Sequence, residues 1–237
     1  MTEDLLFSHL EELRTRLIVA LSIFFIASIG AYFFSHSIID FFTQPLRGHK
    51  SAELIFQTPH EAFLTHIRVS ATAGFFIASP VIFSQFWLFV SPGLYSKEKK
   101  IIFPLVLGSV FLFFVGSVFA YFVVVPFTLT FLLSFQTQSL RPLLSIAPYF
   151  SFLTGMILSF GIIFEFPIII LGLVKVGITT SRELAKSRKI IALIIFIAAA
   201  VLTPSPDPVT QLLLAIPLIV LFEMSVIISR WIEKKDC

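Results

Sequence analysis

Apolar residues along this chain gather into long runs separated by short polar stretches. Six runs stand out, at Leu17–Phe34, Ser70–Val90, Ile101–Pro126, Tyr149–Val174, Ile190–Leu202 and Leu212–Ser229. A helix crosses a bilayer with roughly 20 mostly apolar residues, so the pattern predicts six membrane-spanning helices. The fifth run is short: at about 1.5 Å per residue it makes about 20 Å of helix, against a hydrocarbon layer about 30 Å thick. Polar flanks must snorkel there, or the bilayer must thin. Ahead of the first run, Leu6, Leu10, Leu13 and Leu17 recur in steps of four, three and four. That spacing predicts an amphipathic helical arm feeding the first span. In the polar stretch 35–69, Thr58-Pro59-His60-Glu61 has the residues of a capping box with Pro at the first helical position, so a helix is expected to start near Pro59 and run into the second span. Pro80 is expected to kink that helix, and Pro126 to end the third span.

Composition agrees with the pattern. The chain is 57% hydrophobic and 13% charged, where a soluble domain has about 25% charged residues. Its mean hydropathy is +0.98. A single core of 237 residues cannot hide that much apolar surface, which excludes an ordinary soluble fold. The first run could be read as a signal peptide, but Glu3, Asp4, Glu11 and Glu12 precede it, and it is read as a retained span. Thirteen of the 17 Lys and Arg fall in the N-terminal arm, the second and fourth connections and the C-terminal tail. The positive-inside rule then places both termini in the cytoplasm. A re-entrant hairpin made of the fifth and sixth runs would give the same count. The net charge of +3 is an orientation signal here, and no nucleic-acid partner is expected.

Catalytic chemistry finds little support. The single Cys237 forms no disulfide within the chain and no thiolate cluster. The five His lie in the arm or near the first outer loop, without metal-motif spacing. There is no Gly-rich nucleotide loop and no intramembrane Ser–His pair. The expectation is a non-enzyme with no cofactor and no metal.

Two acids sit inside apolar runs. Glu223 lies seven residues before Arg230, close enough to the membrane face to snorkel or pair. Glu165 stands in Phe164-Glu165-Phe166-Pro167, about 13 Å from the end of its span at 1.5 Å per residue. A charge at that depth costs roughly 3 kcal/mol or more, so Glu165 is a candidate functional site, with an internally bonded structural acid as the alternative. Pro167 also lacks an N–H and leaves the Ile163 carbonyl without its helical donor. Glu12, four residues before Arg16, and Glu98, among Lys97, Lys99 and Lys100, read on their own as solvated charges.

Together these pieces resemble TatC, the multispanning subunit of the twin-arginine protein translocase, over nearly the whole chain. The resemblance rests on His9-Leu10-Glu11-Glu12-Leu13-Arg14-Thr15-Arg16, Thr58-Pro59-His60-Glu61-Ala62-Phe63, and Pro80, Gln85 and Trp87. It continues through Pro92-Gly93-Leu94-Tyr95 with Glu98, Gly116, Phe119-Ala120-Tyr121-Phe122 and Phe164-Glu165-Phe166-Pro167. It ends on Thr203-Pro204-Ser205-Pro206-Asp207-Pro208-Val209-Thr210-Gln211, followed by Pro217 and Glu223. It implies an all-α polytopic fold over 1–237, a single membrane domain with six transmembrane helices in a concave wall and both termini inside. It also implies a signal-peptide receptor in a proton-motive-force-driven translocase of folded proteins; between a bacterial cytoplasmic (inner) membrane and a plastid membrane, the lack of a transit peptide favours the bacterial one. The acids that would bind the paired arginines are Glu12 and Glu98. Glu165 and Gln211 would dock single-span partners of the TatA and TatB kind, in an oligomer. A small proton-coupled transporter using Glu165 as its relay is the principal rival, and an intramembrane hydrolase a weaker one.

Overall fold

A computed structural model describes residues 2–46, 53–90, 102–135, 143–175, 177–202 and 208–236. The described residues are almost entirely helical, and the chain falls into two compact units. The helices are α1 (Thr2–Tyr32), α2 (Ser35–Phe42), α3 (Pro59–Val90), α4 (Ile102–Phe119), α5 (Val125–Leu133), α6 (Ile146–Ile163), α7 (Phe166–Lys175), α8 (Ser181–Lys186), α9 (Arg188–Leu202) and α10 (Pro208–Asp236). Two three-residue strands, β1 (Glu53–Ile55) and β2 (Leu143–Ser145), pair in parallel with Glu53 opposite Leu143.

Unit 1 comprises Met1–Arg47, Glu53–Val110 and Leu143–Ser151. Its centre is the packing of α1 on α3, made close by small residues. Ser70, Gly74 and Ala78, four apart on α3, are all buried. A Cβ added to Gly74 would lie 2.6 Å from the backbone Cα of Ser28 on α1. With no hydrophobic drive between helices in lipid, such close approach supplies the van der Waals contact that holds a pair together. The helix α2 occupies a stretch expected to be loop. Its Phe42 carbonyl accepts from the Tyr149 hydroxyl at 2.7 Å, and Ser35 at its start bonds His66 Nδ1 at 2.9 Å.

The start of α3 at Pro59 agrees with the sequence signal, but the cap differs. The Glu61 carboxylate accepts from the Gln57 N–H at 3.1 Å and from the Ser145 hydroxyl at 3.0 Å, so this acid ties the helix start to β2. The full reciprocal capping box is elsewhere, between Thr180 and Glu183 at the start of α8. Pro80 lies inside α3, which continues past it to Val90.

Unit 2 comprises Gly48–Ala52, Phe111–Pro142 and Phe152–Cys237. The expected end of the third span at Pro126 is not observed. The chain passes from α4 through a π-helical turn, Ala120–Val124, into α5, which runs to Leu133. Pro126 stands in the first turn of α5, and the wider turn before it accommodates the missing N–H without ending the helix. The fourth span does break, at Phe164-Glu165, where α6 gives way to α7. Helices α6 and α4 cross closely here. A Cβ on Gly116 would meet the Phe160 carbonyl at 2.6 Å, one on Gly161 would meet the Phe113 ring at 2.6 Å, and the Ser117 hydroxyl donates to the Ile157 carbonyl at 3.3 Å.

Further along unit 2, Arg188 pairs with Glu223 at 2.9 Å, so the acid finds a partner on α9 and not on its own helix. The Glu233 carboxylate accepts the Ser181 backbone N–H at 2.7 Å and also its hydroxyl, which clamps α10 to the start of α8. Those two bonds hold the Glu233 carboxyl below its ordinary range.

Among the described residues, five helical stretches are long and apolar enough to cross a membrane: His9–Tyr32, Pro59–Val90, Phe103–Leu133, Ile146–Lys175 and Gln211–Trp231. The fifth expected span is α9, whose 15 residues make about 22 Å of helix, still shorter than the hydrocarbon thickness of about 30 Å. Whether α9 and α10 form two crossings or a hairpin is open to a direct test. In a Cys237→Ser background, cysteines at Ser51, Ser139 and Ser205 are expected to react with an impermeant thiol reagent from outside, and those at Ser96 and Ser187 only from the cytoplasm. Labelling at Ser205 from the cytoplasm alone would replace the fifth and sixth crossings with a re-entrant hairpin. Of these positions only Ser187, which closes α8, is among the described residues.

Candidate functional site

The arm and the first span form one continuous helix, α1, which carries Glu12 three turns from its start. Leu10, Leu13 and Leu17 are exposed, as an apolar stripe lying on a membrane interface requires. On the other side, Glu12 and Arg16 form the expected i,i+4 pair. Arg16 donates to Glu12 Oε1 twice, from Nε at 2.9 Å and from Nη2 at 2.5 Å. The remaining guanidinium nitrogen, Nη1, reaches the amide oxygen of Gln85 on α3 at 3.5 Å. The other carboxylate oxygen of Glu12, Oε2, lies 4.0 Å from His9 Nδ1. The His9 ring in turn stacks on Phe89 of α3, with centroids 4.5 Å apart.

The acid is thus held by a chain of contacts from α1 to the last turns of α3. An open cavity of about 410 Å³ lies over it, lined by Glu11, Glu12, Thr15, Arg16, Val19 and Gln85. The side chains of Glu12 and Arg16 keep 32% and 24% of their surface exposed, so the pair is reachable from solvent. Its chemistry is that of a guanidinium acceptor: a carboxylate offers two oxygens and about four lone pairs to a planar fork of N–H donors. The sequence alone assigns Gln85 no role, and its one legible signal is that it is the sole amide in the second apolar run.

Glu98, with 91–101, lies outside the described residues, as does 203–207 in the connection before Gln211.

Glu165 is buried, at 5% exposure, in the break between α6 and α7. Its N–H donates to the Ile162 carbonyl at 3.1 Å, a tightened turn, and its carbonyl accepts from Ile169 at 3.0 Å as the first bond of the new helix. Phe164, beside it, packs on Gly116 and against Phe119, and Phe166 faces Phe222 of α10. Ile162 and Ile169 on either side are exposed. Gln211, in the first turn of α10, donates from Nε2 to the Phe196 carbonyl of α9 at 3.0 Å, which ties the last two helices together. That bond uses one N–H of an amide that carries a second N–H and an oxygen acceptor.

Residues 8–217 match the family of the Sec-independent protein translocase protein TatC. The TatC protein of Aquifex aeolicus is 42% identical over 96% of this chain and 95% of its own length. That of Magnetococcus marinus is 41% identical over 97% of this chain and 85% of its own. The crystal structure of the twin-arginine translocase receptor TatC in DDM superposes with a TM-score of 0.84 and 42% identity, covering 93% of this chain and 99% of that one. A second crystal structure of the same receptor gives a TM-score of 0.82. Sequence, helical architecture and near-complete mutual coverage lead to one conclusion: this chain is a multi-pass membrane protein of the TatC family of protein translocase components.

Proposed function

We propose that the protein is the twin-arginine signal-peptide receptor and core membrane subunit of a proton-motive-force-driven translocase for folded proteins, in a bacterial cytoplasmic membrane. The observation that carries this reading is Glu12, which lines an open cavity and already accepts a guanidinium there. Glu98 supplies the second carboxylate, since two adjacent arginines need two acceptors. Single-span partners of the TatA and TatB kind complete the complex and dock near Glu165 and Gln211. Six crossings, both termini inside, and an oligomeric assembly belong to the same reading. Co-purification tests it: the tagged protein should retain a twin-arginine precursor and small single-span proteins. Transport of a small solute by the protein alone, with neither of them retained, would replace this reading with a solute transporter.

The role of Glu165 separates by substitution. Gln keeps the hydrogen bonding and removes the titratable proton, whereas Ala removes both. Interhelical hydrogen bonds in membranes measure about 0.6 kcal/mol on average and reach about 1.7, so a docking bond orients a partner and still permits its exchange. If docking is the role, Glu165→Gln preserves most crosslinking to single-span partners and most transport, and Glu165→Ala reduces both. If the buried acid is a proton relay, Gln abolishes transport as fully as Ala while crosslinking persists. Unchanged crosslinking in Glu165→Ala rules out docking.

A further inference from the structure

The recognition acid is not vacant. Arg16 presents to Glu12 the same group that a signal arginine would bring, with two N–H donors on one carboxylate oxygen. The pair is formed within one helix, four residues apart, so it needs no rearrangement of backbone to form or to open. Both side chains are partly exposed, and exchange proceeds by rotamer changes alone. Arg16 also has a place to go: its Nη1 already touches the Gln85 oxygen at the edge of the same cavity. We infer that Arg16 is a resident competitor for the signal-peptide site, holding Glu12 until an incoming guanidinium displaces it toward Gln85. This rests on the assignment of Glu12 as a signal-binding acid.

The consequence is thermodynamic. A ligand that must open the pair binds more weakly than it would to an unpaired Glu12, by the factor that favours the closed pair. Electrostatics act in the same direction, because the Arg16 charge neutralises the acid and lowers the pull on an approaching cation. An arginine that takes both oxygens of Glu12 needs the pair opened. A lysine ammonium is a point donor that can sit on Oε2 alone, so it need not open the pair.

The test is a titration of the full-length protein in detergent with a labelled twin-arginine signal peptide and its Lys-Lys variant. Arg16→Gln is expected to tighten Arg-Arg binding by about 2- to 5-fold, the worth of a half-exposed ion pair, and to tighten Lys-Lys binding less. Arg16→Lys, which keeps a weaker competitor, is expected to fall between wild type and Gln. In a Glu12→Gln background the gain from Arg16→Gln should vanish. Loss of affinity or no change in both Arg16 variants overturns the inference, as does an undiminished gain in the Glu12→Gln background, which would make Arg16 only part of a general positive field. Misfolding lowers affinity and cannot produce the expected gain. If Glu12→Gln alone leaves peptide binding intact, the assignment of Glu12 itself fails, and the two failures are thereby told apart.

Discussion

Glu12→Ala and Glu98→Ala each weaken binding of a twin-arginine peptide by about 1–3 kcal/mol, from the worth of an ordinary hydrogen bond up to that of one made to a charged group. The loss is expected in the dissociation constant, measured with purified protein, and not in insertion or folding. Glu12 projects from a helix whose packing on α3 is carried further along by Ser28 and Gly74, so removing its carboxylate leaves that contact intact. Partial exposure places the Glu12 effect toward the lower end of the range, because water competes for the same lone pairs. Lys-Lys signals bind weakly from the start, since an ammonium lacks the planar fork, and lose less on mutation. Equal losses for Arg-Arg and Lys-Lys signals would reduce the acids to a source of general negative field.

The helical pattern carried most of the architecture because a bilayer leaves the backbone few choices. Each buried N–H and C=O must be satisfied within its own segment, so a long apolar run is already a helix. The start of α3 at Pro59 and the Glu12–Arg16 pair were legible for local reasons, a proline at the first turn and a spacing of four. What failed was the reading of proline as a stop. Pro126 is absorbed by a π-helical turn, a device of backbone hydrogen bonding that no residue type announces. The helix α2 was missed because eight residues make too short a run to stand out, although Ile38, Ile39 and Phe42 have helical spacing, and its place depends on Tyr149, more than a hundred residues away.

The site divides along the same line. Glu12 was indistinguishable from a solvated surface acid until the resemblance singled it out, and the tie of its partner Arg16 to Gln85 spans 69 residues of sequence. Glu165 was conspicuous by itself, an acid with no polar neighbour in sequence. Its burial between α6 and α7 agrees with a helix broken just before Pro167. The partner of Glu223 could not be anticipated, because Arg188 is distant in sequence and Arg230 is near.

Gly116→Ala is expected to cost about 1–3 kcal/mol or more, the range for overpacking, although alanine is the better helix former. The added Cβ would lie 2.6 Å from the Phe160 carbonyl oxygen and 2.7 Å from the Phe164 Cβ. A flexible side chain could yield at that distance, but a helix carbonyl cannot move without its helix. Crossing helices α4 and α6 must therefore separate by the better part of an ångström. The Ser117–Ile157 bond, already 3.3 Å long, is then lost. Phe164 is driven off Gly116, and Glu165, the next residue, moves with it. The substitution should lower the unfolding midpoint in detergent and reduce crosslinking of single-span partners near Glu165, with the acid itself untouched. Gly155→Ala is the control: it lies in α6, and a Cβ there meets nothing within 4 Å. It should leave stability unchanged or raise it by up to about 1 kcal/mol, the helix-propensity difference. If the two substitutions behave alike, the close crossing at Gly116 does not set the position of Glu165.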